Sequence, residues 1–272
     1  MNKIPPTAGN NEENKGLPTS WGNVASWYDE LLESGSDSFQ SKVILPNLVR
    51  ILEPKNGMNV LDVACGQGYF SRAYASSGAT VIASDISKEL IQAAQKKNVD
   101  GGKGSVSYVV SPADELSFVK DASQDATTII LAIQNIENLQ GVCGEVSRTL
   151  KSGGRFILVI NHPMFRIPQR SGWGWDEKTS TQYRRVDGYM SDSRMEIDMT
   201  PGEENKYKKK YTISFHRPLQ SYVKALNKSG LNVSRIEEWV SHKKSQKGPR
   251  QAEEDRTRKE IPMFMMIEAV KR

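Results

Sequence analysis

Short apolar segments alternate with segments of helical periodicity from position 59 onward. Strands are predicted at 59–63, 79–84, 106–110, 127–132 and 156–160, with helices between them at about 69–77, 88–97 and 140–150. Parallel strands need long crossover connections, usually helices, and strands covered on both faces carry continuous apolar runs. The alternation therefore predicts an α/β domain with a parallel sheet and helices on both faces.

The alternation stops after Ile160 and returns nearer the C-terminus. The 55 residues of 162–216 contain a Trp-Gly-Trp sequence, clustered charges and two alternating segments. A helix is then predicted over 219–228, strands over 231–239 and 263–270, and a polar, basic loop over 240–261.

These patterns also predict the domain organisation. Residues 1–18 lack periodicity and are predicted to be a disordered leader, followed by one domain at 19–272. Its predicted parts are a helical lid at 19–55, a cofactor-binding core at 56–161, an insertion at 162–216 and a C-terminal part at 217–272. Pro46 should kink or divide the helix predicted over 37–52.

Cysteine usage and hydropathy exclude several classes of protein. The two cysteines, Cys65 and Cys143, are too few for a disulfide framework or a multi-cysteine zinc site, so we predict no metal and a reducing, cytoplasmic setting. Apolar runs such as 129–133 are far shorter than the roughly 18 residues that a membrane span needs. The polar first twenty residues do not resemble a secretory signal.

The charge is distributed unevenly along the chain. Residues 1–160 contain 14 Lys and Arg against 17 Asp and Glu, whereas residues 161–272 contain 23 against 15, so the net charge of +5 comes from the C-terminal part. Two interpretations stay open: solvated basic faces, or a basic surface for an anionic substrate or a nucleic acid.

The first strand, loop and helix have the features of a ligand site. Ligands of open α/β sheets bind at the carboxyl ends of the strands, and the loop after the first strand contains Gly66 and Gly68. Small residues let a ligand approach the backbone, and the helix N-terminus offers free N–H donors. Asp85 ends the second strand 23 residues after Asp62, a spacing typical of an acidic residue that binds ribose hydroxyls. A nucleoside-containing cofactor is predicted.

Two details argue against a dinucleotide. Ser71 occupies the third position of a GxGxxG pattern that starts at Gly66, where Gly or Ala is expected. Asp62, directly before the loop, would repel a phosphate but suits a cationic group. A ligand with an ammonium group, a ribose and no phosphate fits both details, and S-adenosylmethionine is such a ligand.

Several segments resemble one family. They are VLDVACGQG at 60–68, VIASDIS at 81–87, SPADEL at 111–116, ATTIILAIQNIENL at 126–139 and LKSGGRFILVINHP at 150–163. With them, residues 60–160 resemble a class I S-adenosylmethionine-dependent methyltransferase, close to the small-molecule enzymes of ubiquinone biosynthesis. The resemblance implies an α/β fold with a doubly wound, mostly parallel seven-stranded Rossmann-like sheet, and an inserted substrate-covering segment after strand 5.

The same resemblance implies a set of cofactor-binding residues. Asp62 and the backbone of 64–68 would hold the methionine portion, Asp85 the ribose, Ile86 the adenine face and Asp114 the adenine amino group. The complete set is Tyr28, Asp62, Ala64, Cys65, Gly66, Gly68, Asp85, Ile86, Ala113, Asp114, Ile133 and Gln134. Ala64 departs from the family, which usually has its first glycine there, and the added methyl group should tighten the turn.

Catalytic and substrate residues are predicted from their positions. A general base is needed only if the acceptor must lose a proton, and His162 and His216 are candidates because each lies near a predicted strand end or insertion boundary. Trp173 and Trp175 in the insertion, with Arg217 after it, are candidates for binding a planar acceptor. Structural roles for all five residues stay open.

Three functions remain as alternatives. The first is methylation of a small molecule at an oxygen or carbon atom. The second is methylation of RNA through the basic C-terminal part, although the sequence contains no separate RNA-binding module. The third is a non-catalytic protein that binds S-adenosylmethionine. The oligomeric state stays open.

Overall fold

The computed structural model describes residues 37–97, 103–200, 205 and 209–272. The predicted leader, most of the predicted lid and Tyr28 lie outside the described residues.

A π-helical turn covers Gln40–Ile44. The helices are α1 (Leu45–Leu52), α2 (Tyr69–Ser76), α3 (Lys88–Lys96), α4 (Leu139–Thr149), α5 (Leu219–Lys228) and α6 (Gln251–Glu260), with a 3-10 turn at Ile133–Asn135. The strands are β1 (Asn59–Val63), β2 (Thr80–Asp85), β3 (Ser105–Val110), β4 (Gln124–Ile130), β5 (Leu150–Asn161), β6 (Ser171–Asp176), β7 (Thr181–Val186), β8 (Ser193–Asp198), β9 (Tyr211–His216), β10 (Leu231–Trp239) and β11 (Phe264–Lys271).

The central sheet has seven strands in the order β10-β11-β5-β4-β1-β2-β3. The strands β1 to β5 pair in parallel, and β11 is antiparallel to both of its neighbours, β10 and β5. The order reverses between β1 and β4, because the chain runs outward to β3 and then returns to the other side of β1. This topology confirms the predicted doubly wound, mostly parallel sheet.

Helices cover both faces because the strands are apolar on both sides. On one face, residues of α4 and α5, such as Val142 and Tyr222, pack against Leu61 and Leu158. On the other face, residues of α1 and α2, such as Leu48 and Tyr74, pack against Val60. The site is therefore built on a sheet whose strand ends are fixed by two cores.

Local signals place most element boundaries. The side chain of Ser87 accepts a hydrogen bond from Leu90 N over 3.2 Å, which confirms the predicted helix cap. Pro46 lies in the first turn of α1 and follows the π-helical turn, so the predicted helix is divided near this proline.

The insertion forms two separate hairpins, β6–β7 and β8–β9, outside the central sheet. The segment 240–261, predicted to be a loop, contains α6 instead. The prediction missed this helix because its sequence, QAEEDRTRKE, has no apolar stripe. Side-chain pairs such as Glu253 with Arg256 support it locally. None of the helices in the described part of the chain is long and apolar enough to span a bilayer.

Candidate active site

A cavity of about 380 Å³ lies at the carboxyl ends of the strands, where the sheet order reverses. We call it the main cavity. Its wall comes from the loop after β1, the end of β2, the loop after β3 and the segment after β4. A crevice at this point is where α/β sheets bind their ligands.

Most of the predicted cofactor residues meet in this wall. Eight of them line the main cavity, namely Asp62, Ala64, Cys65, Gly66, Asp85, Ile86, Ala113 and Asp114. Gly68, Ile133 and Gln134 are not among its lining residues. The lining residues lie between positions 62 and 138, so strands distant in sequence contribute to one site.

Asp62 is buried at the end of β1 and is held by two hydroxyl groups. Ser71 Oγ donates to one carboxylate oxygen over 2.5 Å, and Thr128 Oγ1 donates to the other over 2.8 Å. Burial raises the pKa of Asp62 to about 6, against the lowering effect of these two hydrogen bonds, and the charge of Asp85 adds to the rise. A cationic ligand next to this buried carboxylate would favour its charged form and lower its pKa.

Asp85, at the end of β2, holds the loop that follows β1. One carboxylate oxygen accepts from Gly66 N over 2.8 Å, and the other accepts from Ser87 N over 2.9 Å. Burial raises the pKa of Asp85, and the two backbone hydrogen bonds oppose this rise. Each carboxylate oxygen keeps a second acceptor site, so the group can also receive the hydroxyl groups of a ligand.

The backbone of the wall is strained at two positions. Ala64 has φ 54° and Leu131 has φ 55°, both in the left-handed region that favours glycine. Both residues line the main cavity. Strain that clusters at a cavity is typical of a functional site.

Gly68 supports the site from outside the wall. It has φ 76° and precedes α2, and a β-carbon at this position would lie 2.5 Å from Tyr108 Oη. The glycine therefore lets α2 begin close to β3. We assign it to the turn and the helix packing, while the loop atoms that face the main cavity come from 64–66.

Apolar and polar groups share the side of the cavity formed by β2, β3 and β4. Ile86 is 45% exposed and lines the cavity, so a flat apolar ligand group could cover it. Nδ2 of Asn138 donates to Oδ2 of Asp114 over 2.7 Å. Asn138 also accepts from Gly141 N over 3.0 Å and caps α4.

The segment after β4 lines the cavity with different residues from those expected. Ile133 is buried in the core, and Nε2 of Gln134 donates to the Leu131 carbonyl over 2.6 Å. Asn135, Ile136, Glu137 and Asn138 line the cavity instead. The three polar residues of NIEN at 135–138, shortly after the end of β4, are the sequence feature that could have predicted this part of the lining.

Arg217 supports the segment after β4. Its guanidinium donates to the carbonyls of Ile136 over 2.9 Å and Glu137 over 2.7 Å. In this structure Arg217 supports the cavity wall through these bonds, and its contact with substrate stays a prediction. The main chain of β9 adds a second support, because Asn135 Nδ2 donates to the Ile213 carbonyl over 2.7 Å.

The two histidines are engaged away from the main cavity. His162 is buried, its Nδ1 accepts from Met164 N and Phe165 N, and its Nε2 lies 2.7 Å from Glu238 Oε1. Burial lowers the pKa of His162 despite Glu238. His216 is also buried, with Nε2 donating to the Tyr189 carbonyl over 2.8 Å. Neither lines the main cavity, and both rings make hydrogen bonds that support neighbouring segments. Their role as a general base stays a prediction.

Trp173 and Trp175 lie on β6, also outside the wall of the main cavity. Trp175 Nε1 donates to Glu177 over 3.2 Å, and the Arg250 guanidinium stacks 4.4 Å from its ring centroid. Trp173 lines a second, smaller pocket beside β5 and β11. Neither tryptophan contributes to the main cavity in this structure, and acceptor binding by them stays a prediction.

Cys65 faces the main cavity as a thiol. Burial raises its pKa well above the ordinary value, and the charges of Asp62 and Asp85 raise it further. A protonated thiol is a poor nucleophile. This agrees with a packing role.

Comparisons with known proteins show what this part of the chain is similar to. A family model described as a methyltransferase domain matches residues 61–158. Those residues contain most of β1, all of β2 to β4, most of β5 and the described wall of the main cavity. Residues 61–158 are therefore similar to a methyltransferase domain.

Relatives agree over the same part of the chain. A demethylmenaquinone methyltransferase from Clavibacter sepedonicus is 33% identical over 138 residues, which are 50% of this chain and 54% of the relative. A ubiquinone biosynthesis O-methyltransferase from Xylella fastidiosa is 32% identical over 112 residues, covering 41% of this chain and 45% of the relative. The chain thus spans about half the length of the curated relatives it matches.

The fold is shared over a longer stretch. A crystal structure from Listeria monocytogenes, assigned as an S-adenosylmethionine-dependent methyltransferase, superposes with a TM-score of 0.64 at 25% identity. It covers 84% of this chain and 97% of its own. A second such methyltransferase, from Mesorhizobium loti, superposes with a TM-score of 0.63 at 24% identity, covering 83% and 96%.

Proposed function

We propose that this protein transfers a methyl group from S-adenosylmethionine to an oxygen or carbon atom of a small molecule. The observation that carries the proposal is the arrangement of three acidic residues, Asp62, Asp85 and Asp114, in the wall of one cavity of about 380 Å³. Each follows or ends a different strand, so the arrangement depends on the fold that this domain shares with methyltransferases.

The residues present fit the cofactor. Asp62 would hold the ammonium group, since a cation offsets the cost of a buried carboxylate. Asp85 would accept from the ribose hydroxyls, and Ile86 would cover the adenine face, with Asp114 at its edge. When bound, the cofactor supplies a methyl group on a positively charged sulfur.

The protein's own contribution would be orientation and the exclusion of water. A displacement reaction needs the acceptor atom in line with the breaking bond, and a cavity walled by fixed strand ends can hold that geometry. The segment 135–138, held by Arg217, would form the side of the cavity that faces the acceptor. The names of the relatives include a ubiquinone/menaquinone biosynthesis C-methyltransferase and a ubiquinone biosynthesis O-methyltransferase, which supports a small-molecule acceptor.

Calorimetry tests the cofactor assignment. S-adenosylmethionine and S-adenosylhomocysteine should bind with micromolar dissociation constants, and NAD should not bind. A screen of small-molecule acceptors that detects S-adenosylhomocysteine should then show turnover. Cofactor binding without turnover on any acceptor would favour the non-catalytic alternative.

The RNA alternative has a separate test. Binding to tRNA or rRNA that weakens steeply with salt would favour it, because phosphate contacts release counterions. We also propose one domain over residues 19–272 and a cytoplasmic setting, the latter because the chain has only two cysteines.

A further inference from the structure

A second pocket, of about 70 Å³, lies between the β6–β7 hairpin, the turn after β5 and the residues before β11. We call it the arginine pocket. Three arginines line it, Arg166, Arg184 and Arg258, together with Phe165, Trp173 and Ser241. Its concave wall combines positive charge with aromatic surface.

No acidic side chain is among the described residues that line the arginine pocket. Arg184 donates to the Phe165 carbonyl over 2.7 Å and lies 5.0 Å from the Trp173 ring centroid. Arg258 donates to Ser245 Oγ over 2.9 Å. Both are therefore positioned by neutral groups, which leave their charges uncompensated.

The backbone N–H of Arg166 donates to the His162 carbonyl over 2.9 Å, but its side chain makes no hydrogen bond or ion pair to any residue in the described ranges. Arg166 is an exposed residue that lines the pocket, and desolvation by the pocket wall lowers the pKa of its guanidinium, which the charge of Arg184 lowers further. Two guanidinium groups that repel each other without a counter-ion raise the free energy of the empty pocket.

Several other arginines among the described residues are paired with acids. Arg50 pairs with Glu237, Arg148 with Glu145, and Arg155 with Glu268. Two acidic side chains on α6 are engaged elsewhere, because Asp255 accepts from Ser245 N over 2.7 Å and Glu253 pairs with Arg256. The three arginines of this pocket differ from these paired arginines.

The arginine pocket and the main cavity lie on the same edge of the sheet. Phe165 and Arg166 follow β5, and β5 pairs with β4, whose end lines the main cavity. Met263 precedes β11, the next strand beyond β5. Neighbouring strands are about 4.8 Å apart, so the strand ends that contribute to the two sites lie about 10 Å apart along the edge.

We propose that the arginine pocket binds a compact anionic group, a carboxylate or a phosphate, carried by the small-molecule methyl acceptor. The planar guanidinium groups match the geometry of such oxygen pairs, and Trp173 and Phe165 offer apolar surface to the carbon frame next to the charge. Assignment of the anion to the acceptor rests on the proposed function, whereas anion binding itself does not.

Direct titration tests the binding step. Inorganic phosphate and benzoate are titrated into the full chain by calorimetry at low ionic strength, with benzamide as the uncharged match for benzoate. At least one anion should bind saturably, and benzamide should not. Arg166→Gln should weaken that binding about tenfold, the scale of one lost charge-assisted contact. Because the side chain of Arg166 bonds no described residue, this variant should keep the melting temperature of the original chain.

Arg194→Gln is the matched control, since Arg194 is an exposed arginine on β8 in the other hairpin. Equal weakening by Arg194→Gln would show a general charge effect and overturn the proposal. Absence of saturable binding by both anions would overturn it as well, and so would binding of tRNA without binding of either anion.

A kinetic comparison assigns the anion to the acceptor. For an acidic acceptor found in the screen, Arg166→Gln should raise KM about tenfold and leave kcat unchanged, while KM for the neutral amide of the same acceptor should not change. An unchanged KM for the acidic acceptor would overturn the assignment. S-adenosylhomocysteine binding, measured in the same samples, reports separately on the proposed function.

Discussion

Asn138 and Asp114 join two sides of the main cavity, with Nδ2 of Asn138 donating to Oδ2 of Asp114 over 2.7 Å. Asp114 follows β3 and Asn138 caps α4 after β4, so the bond connects segments on opposite sides of β1 in the sheet. The link fixes the carboxylate that we expect at the adenine edge. It also couples the stability of α4 to the shape of the site.

Variants of Asn138 should separate these two effects. Asn138→Ala should lower the free energy of unfolding by about 1 kcal/mol, because α4 loses its cap. It should also weaken S-adenosylhomocysteine binding several-fold. Asn138→Ser keeps a capping oxygen but is too short to hold Asp114, so it should show the binding loss with little change in melting temperature. Equal destabilisation by both variants would contradict the assignment of the cap.

Cofactor affinity should depend on pH through Asp62. Its pKa of about 6 means that the carboxyl group is neutral below that pH and charged above it. Affinity for S-adenosylmethionine should therefore rise between pH 5 and pH 7 and then level off. Calorimetry across this range checks the slope, and Asp62→Asn should bind weakly with no such slope.

Asp62→Asn should also change stability in a defined direction. The folded-state pKa lies above the ordinary value of 3.8, so the folded state holds its proton longer than the unfolded state. The protonated form of Asp62 therefore contributes stability that is fully present below about pH 4 and is lost as pH rises through about 6. Removing the charge should raise the free energy of unfolding at pH 7.5 by up to about 3 kcal/mol, as measured by urea denaturation. A variant less stable than the original at pH 7.5 would contradict the burial argument.

Asp85→Ala should weaken S-adenosylmethionine binding by about 1–3 kcal/mol, the scale of a lost hydrogen bond to a charged group. The variant also frees Gly66 N and Ser87 N, so the loop itself should loosen. Asp85→Asn keeps one acceptor oxygen and should lose less affinity. Calorimetry that found unchanged affinity in Asp85→Ala would refute the ribose assignment.

Ala64→Gly should stabilise the fold by up to about 1 kcal/mol, because glycine adopts φ 54° without the penalty that a β-carbon brings. Ala122→Gly is the matched control, since Ala122 has φ 50° in an exposed turn before β4. Both should raise the melting temperature, but only Ala64→Gly should change S-adenosylhomocysteine affinity.

Arg217→Met should loosen the segment 133–138 by removing the donors to its carbonyls. Amide hydrogen exchange in that segment should accelerate, and S-adenosylhomocysteine affinity should fall about tenfold. Arg194→Met, an exposed change on β8, should alter neither measurement. A faster exchange spread over the whole domain would instead indicate general destabilisation.

Local patterns predicted most helices and strands of the central sheet. The limits of α5 and β10 agree with the prediction residue for residue, and Ser87 caps α3 as expected. The strands β6 and β8 of the insertion were not predicted. The helix α6 was also missed, because it has no apolar face and its sequence resembled a loop. Helices of this kind depend on side-chain pairs and neighbours that a periodicity search does not detect.

The sequence by itself determined the alternation of strands and helices, the glycine-containing loop and the acidic residues at the ends of β1 and β2, because these features lie in local patterns along the chain. Only the tertiary structure decided which side chains line the main cavity. Arg217 supports the cavity wall by a bond to the Ile136 carbonyl, and both histidines make hydrogen bonds outside the cavity. Trp173 lines the arginine pocket. The orientation of these side chains depends on contacts with segments distant in sequence, such as Ile136 with Arg217, and no local pattern records those contacts.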